Sequence, residues 1–147
     1  MLHGINPAIS PDLLYILARM GHGDELVLVD ANYPAASTAK TCTVPDVVTC
    51  PGMSSAEVAD LITELMPLDN FHTYGALRME VDDQPDEVND VHQDVFAVLT
   101  PRLPDGATLG SIERQAFYAK AKTCFAVVQC SEMRAFGCFI LRKGVIF

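Results

Sequence analysis

The chain has little positive charge to offer. Lys and Arg number 10 against 19 Asp and Glu, for a formal net charge of −9. Polyphosphates and anionic bilayers are held by clustered cations. The densest basic stretch, Arg114 to Lys122, carries only three such charges on a helical pattern, so neither nucleic acid nor a membrane surface is expected as a partner. No apolar run approaches the roughly 18 residues of a membrane-spanning helix. Residues 1–7 have neither a basic n-region nor an apolar h-region, so the expectation is a cytoplasmic protein without a signal peptide.

Other signatures are missing too. The five cysteines (Cys42, Cys50, Cys124, Cys130 and Cys138) are odd in number and form no C-x-x-C pair. Several lie inside apolar runs such as 124–128, which fits reduced, packed thiols rather than a disulfide framework. A thiol nucleophile at Cys130 or Cys138 beside His22 is conceivable, but nothing marks either thiolate as activated. G-x-x-x-x-G-K-[ST], G-x-G-x-x-G and G-x-S-x-G are absent, which removes the usual NTPase, dinucleotide and esterase signatures. His3, His72 and His92 lack metal-ligand spacing. No metal site and no cofactor is expected. The acidic run Asp82-Asp83 and Asp86-Glu87 around Pro85 fits a solvated turn.

What the chain does have is apolar mass. Half of its 147 residues are hydrophobic and 20% are charged. That is enough for one domain spanning 1–147, which buries roughly 68–70% of its unfolded surface. It also leaves apolar surface for a partner subunit. The end of the chain, Val145-Ile146-Phe147, has no polar tail and is expected to be tied into a core or an interface.

Along the chain, helical and strand patterns alternate. Ser10-Pro11-Asp12 supplies an N-cap, a proline at the first helical position and an early acid. Leu13, Leu14, Leu17 and Met20 follow at helical spacing, with Gly21 as the stop. The run 25–30 is short, apolar and β-branched, the mark of a buried strand. A weaker strand over 42–48 is interrupted by Pro45. Ser54 to Glu57 matches a capping box, and Val58, Leu61, Ile62 and Leu65 form the stripe that ends at Pro67. A strand over 75–81, helices over 86–99 and 112–122, and strands over 124–130 and 137–141 complete the pattern. The fold class is therefore α/β, with three layers, α/β/α, and a mainly parallel central sheet.

Chemistry concentrates at Met20-Gly21-His22-Gly23-Asp24-Glu25 and at the strand end Asp30. A histidine between two glycines, in a helix-to-strand turn, has little to bury it, and it exchanges protons near neutral pH. Asp30 stands at a strand's carboxyl end, where ligands of open α/β sheets collect. The plain alternative is a helix-capping glycine beside a solvated histidine, with an aspartate that caps a loop.

Several segments resemble the RbsD/FucU family of sugar mutarotases: 7–14, 20–25, 29–35, Arg114 to Tyr118, and Phe136-Gly137 through Leu141-Arg142-Lys143-Gly144-Val145. The Gly-His-Gly-Asp form is closer to the L-fucose branch. The resemblance implies an RbsD-like fold, a ring-shaped and often decameric homo-oligomer, and interconversion of sugar anomers without a cofactor. It makes His22 the proton donor and Asp30 and Arg114 sugar-binding residues. The family's sugar-holding Tyr-Gly/Ala-Asn segment falls on Phe136-Gly137-Cys138. Here a phenol and an amide are replaced by a bare ring and a thiol, a loss of about 0.5–1.5 kcal/mol per neutral hydrogen bond. L-fucose is the leading substrate. The alternative is a non-catalytic sugar-binding or transport-associated protein of the same fold. Asp30 could orient the imidazole or anchor a sugar hydroxyl.

Overall fold

A computed structural model describes residues 2–147. Helix α1 (Pro11–Arg19) starts where Ser10 Oγ accepts the Leu13 N–H at 3.1 Å, and it leads into β1 (Glu25–Val29), all five residues of which are buried. Then come α2 (Ala35–Ala39), β2 (Val47–Cys50), α3 (Ser55–Leu65), β3 (Ala76–Met79), α4 (Asp90–Leu99), β4 (Leu109–Ile112), α5 (Arg114–Ala121), β5 (Ala126–Cys130) and β6 (Phe139–Arg142).

The strands form one six-stranded sheet in the order β2-β5-β1-β6-β3-β4. β1 pairs in parallel with β5, β5 with β2, and β3 with β4, whereas β6 runs antiparallel to both β1 and β3. Side chains of β1 alternate between the faces, as the pleat requires. Leu26 and Leu28 pack with α1, α3 and α4, while Val27 and Val29 pack with α2 and α5. The expected three layers are thus present.

Local boundaries differ from the sequence reading where capping chemistry is decisive. Gly21 does not end α1; Met20 is its C-cap, with its N–H on the Ile16 carbonyl at 3.1 Å. The second strand lies after Pro45, which has no N–H for a ladder. α4 begins at Asp90 because Asn89 caps it, so Val88 falls outside the helix and is exposed. α5 begins at Arg114 because Glu113 accepts the Ala116 N–H; Ile112 closes β4 instead. Neither β4, with Gly110 inside it, nor the five-residue α2 had a pattern long enough to stand out. Val145 is half-buried, but Ile146 and Phe147 are exposed, so one chain alone does not cover its own apolar end.

Candidate functional site

The Gly21-His22-Gly23-Asp24 turn is held at both edges. Asp24 Oδ2 accepts the Gly21 N–H at 2.7 Å. The Gly23 N–H reaches the Lys143 carbonyl at 2.9 Å, and the Lys143 N–H returns to the Asp24 carbonyl at 2.9 Å. Gly23 has φ +83°, a left-handed conformation open to glycine. From this turn the His22 imidazole reaches Asp69, with Nε2 to Oδ1 at 3.0 Å. Its ring also meets Phe71 edge to face, with centroids 5.2 Å apart.

Asp69 is the residue that the sequence did not reveal. It lies in the loop before β3 and is 1% exposed. Burial would raise its pKa, but the Phe71 N–H, His22 and Arg142 all donate to it and together hold it below the usual carboxylate range. An ionised carboxylate only accepts, so Nε2 of His22 carries the hydrogen and Nδ1 is left for other chemistry. A loop aspartate has no spacing that points to a histidine 47 residues away. The nearest signal was Gly144, where a Cβ would collide with the Leu68 carbonyl. That glycine lets the end of β6 close on the Asp69 loop. His22 is therefore neither a bare solvated turn residue nor, within one chain, a partner of Asp30: Asp69 orients its imidazole.

The other expected residues meet at the opposite end of β1. Asp30 Oδ1 accepts the Asn32 N–H at 3.0 Å, and Oδ2 accepts the Cys138 thiol at 3.3 Å. Asp30, Arg114, Tyr118, Phe136 and Cys138 line a cleft of about 180 Å³, with Tyr33 and Met79 behind. Arg114 thus reaches the cleft of its own chain. Its Nε donates to Asp82 Oδ1 at 2.7 Å, a contact that raises its already high pKa. The acidic run around Pro85 is therefore not simply solvated, since Asp82 orients this guanidinium. Tyr33 stacks on Tyr118, and burial pushes its phenol up to about 12.

Phe136 has φ +63°, a strained conformation for a bulky side chain. The N-terminus of α4 holds it there. His92 Nε2 donates to the Phe136 carbonyl at 3.1 Å, and Asn89 Nδ2 donates to the Ala135 carbonyl at 3.1 Å. His92 is thus a buried cap rather than a stray residue; burial pushes its pKa down, so it is neutral. Glu132, four residues before Phe136, is gripped by Arg134 through both carboxylate oxygens at 2.9 Å and is lowered to about 2. Cys138 is 1% exposed, and burial together with the Asp30 charge raises its thiol well above the ordinary range. It is a packed donor to Asp30, not an activated nucleophile. Cys50, Cys124 and Cys130 are buried as expected, while Cys42 is half-buried.

The five sequence-derived residues therefore fall into two clusters. β1 alone spans roughly 16 Å at about 3.3 Å per residue, with His22 before its first residue and Asp30 after its last. Among the described residues, no group of three or more His, Cys, Asp or Glu could hold a metal ion.

These two clusters, a carboxylate-backed histidine at one end of β1 and a cleft of hydrogen-bonding and aromatic side chains at the other, sit on a mixed six-stranded α/β sheet. Residues 3–146 match the RbsD / FucU transport protein family, and the chain belongs to that family. It is 40% identical to the L-fucose mutarotase of Histophilus somni over 99% of this chain and 97% of that protein. It is 38% identical to the fucose mutarotase of Homo sapiens, covering 99% of this chain and 94% of that one. The fucose mutarotase of Streptococcus pneumoniae, solved in complex with L-fucose, superposes with a TM-score of 0.87 at 36% identity, over 99% of this chain and 100% of that one.

Proposed function

We propose that the protein is a cytoplasmic aldose mutarotase, one domain per chain, that interconverts the α and β anomers of a free monosaccharide, with L-fucose the leading substrate. It works as a homo-oligomeric ring of two stacked pentamers. The activity is supported by family membership and by a histidine backed by an ionised carboxylate. His22 protonates the ring oxygen through Nδ1 while a base removes the anomeric hydroxyl proton, and the C1–O5 bond opens. The aldehyde turns about C1–C2 and closes from the other face. Only proton transfers are involved, and a positioned imidazole supplies about 10²–10⁴ in rate. Asp30 and Arg114 bind sugar hydroxyls, and the Phe136 ring and the Cys138 wall cover the less polar side. The substrate carries no demand for a positive surface, in keeping with the charge of −9.

The observation that carries this reading is the separation of the two clusters. A sugar ring is far smaller than β1 is long, so His22 and Asp30 of one chain do not act on the same molecule. The His22 of one subunit therefore faces the Asp30 cleft of its neighbour. Apolar exposure at both ends supports this, with Phe71 65% exposed against His22 and Met133 73% exposed in the segment that leads to Ala135 and Phe136 of the cleft.

The test is complementation. His22→Ala and Asp30→Ala are each expected to abolish anomer exchange, followed by NMR saturation transfer on fucose, ribose, galactose and arabinose. Co-assembled one to one, they regain about a quarter of the wild-type rate, because a heterologous contact regenerates one intact site in four. No recovery would rule out a shared site. Undiminished exchange in His22→Ala alone would remove the histidine from the mechanism.

A further inference from the structure

His22 stands at the end of a row of alternating charges. Lys120 Nζ on α5 meets Glu25 Oε2 at 2.6 Å. Glu25 Oε1 accepts from Arg142 Nη1 at 3.3 Å and from the Tyr74 hydroxyl. Arg142 Nε donates to Asp69 Oδ2 at 3.1 Å, and Asp69 Oδ1 holds His22. Glu25 is 8% exposed and Asp69 1%. Withdrawing carboxylates and cations from water costs several kcal/mol per ion, and apolar side chains of similar volume would serve stability as well. A turn that merely solvated a histidine would need none of them.

We propose that Glu25 and Arg142 are positioning residues for His22: Arg142, clamped by Glu25, fixes the Asp69 carboxylate so that it commits the imidazole Nε2 and turns Nδ1 to the sugar. The inference rests on His22 being the acid/base group. The second glycine of the Gly-His-Gly turn belongs to the same device. Gly23, whose φ of +83° favours glycine, sits directly over the guanidinium: a Cβ there would stand 3.2 Å from Arg142 Nη2. The two carboxylates, Glu25 and Asp69, and the two cations, Lys120 and Arg142, balance in charge. Around the row, Asp24 is tied to the Gly21 N–H, and the Lys143 ammonium to the carbonyls of Leu17 and Met20. His72 lies edge-on to Tyr74, and the Cys124 thiol faces Glu25, raised to about 12 by burial first and the Glu25 charge second.

The charges give a test by sign. Arg142→Gln removes a cation from Asp69, so imidazolium is favoured and the His22 titration midpoint moves up. Glu25→Gln removes the anion that balances Arg142, so the midpoint moves down. The readout is the histidine 13Cε1 NMR signal of the assembled protein, with the His22 peak assigned by its loss in His22→Ala, together with the pH profile of anomer exchange. Both variants lower kcat with KM close to unchanged, the pattern of an interaction made in the transition state. Arg142→Lys keeps the charge and holds the midpoint near wild type, although one ammonium does not bridge both carboxylates and kcat still falls. If Arg142→Gln does not fold, the downward shift in Glu25→Gln against an unshifted Arg142→Lys carries the test, and an upward shift or none in Glu25→Gln would overturn the positioning role. Shifts of one sign, or no shift in either variant while His22→Ala is inactive, would overturn the positioning role alone. Full exchange in His22→Ala would instead overturn the reading on which it rests.

Discussion

At the scale of single residues, the site is a set of side chains whose protonation and orientation are decided by immediate neighbours. Removing the imidazole in His22→Ala should cost exchange about 10²–10⁴-fold while stability falls by only about 1 kcal/mol, because the ring is substantially exposed and Asp69 keeps the Phe71 N–H and Arg142 as donors. A large loss of melting temperature would make His22 a structural residue. The altered cleft makes a second prediction. Phe136→Tyr restores a hydroxyl where the ring lines the cleft and should tighten fucose binding by about 0.5–1.5 kcal/mol, which calorimetry would measure. Cys138→Asn adds volume at a position 1% exposed, where the thiol already serves Asp30, so strain offsets its gain. Weaker fucose binding in Phe136→Tyr, with another sugar bound well by the wild type, would show a cleft retuned away from fucose.

At the scale of elements, the loop from Glu132 to Cys138 depends on what clamps it. Glu132 has its pKa lowered to about 2, so the stabilisation it provides is fully present above the ordinary carboxylate range near ~4.3 and is lost as pH falls from there through about 2. Arg134→Gln leaves a buried carboxylate with fewer donors and should destabilise the protein by roughly 1–2 kcal/mol at neutral pH. Denaturation followed by circular dichroism should show that deficit shrinking as pH drops toward 2. A deficit that stayed constant with pH would separate Arg134 from Glu132. The other clamp is the α4 cap. Asn89→Ala removes both the helix cap, about 1 kcal/mol, and the donor to Ala135. It should therefore weaken fucose binding, measured by calorimetry, although Asn89 itself does not line the cleft and acts through Ala135.

At the scale of the whole molecule, the chain carries more apolar surface than one copy covers. Ile146 is 81% exposed and Phe147 fully so. An obligate interface of this kind is hydrophobic and resists dilution. Light scattering should give the same high mass at micromolar and nanomolar concentration, and deletion of residues 145–147 should lower mass and exchange rate together. A monomer that still interconverts anomers would sink both the ring and the shared site.

Much of this was legible along the chain, because it depends on neighbours in sequence. Helix periodicity, the Ser10 and Ser54 caps and the buried run of β1 are local, and so is the alternation of elements that defines a three-layer α/β protein. The glycine-flanked His22 and the strand-end Asp30 stood out for the same reason. Register and pairing are not local. The reversal of β6 between β1 and β3, the short β4 with its glycine and the five-residue α2 follow from packing partners far away in sequence. Asp69 has no periodicity of its own, and its link to His22 exists only because Gly144 lets the end of β6 approach the Leu68 carbonyl. Composition announced a sticky surface without saying where. The length of β1 sets His22 and Asp30 apart, a rigid spacing that no list of residues contains, and the shared site proposed above rests on that spacing.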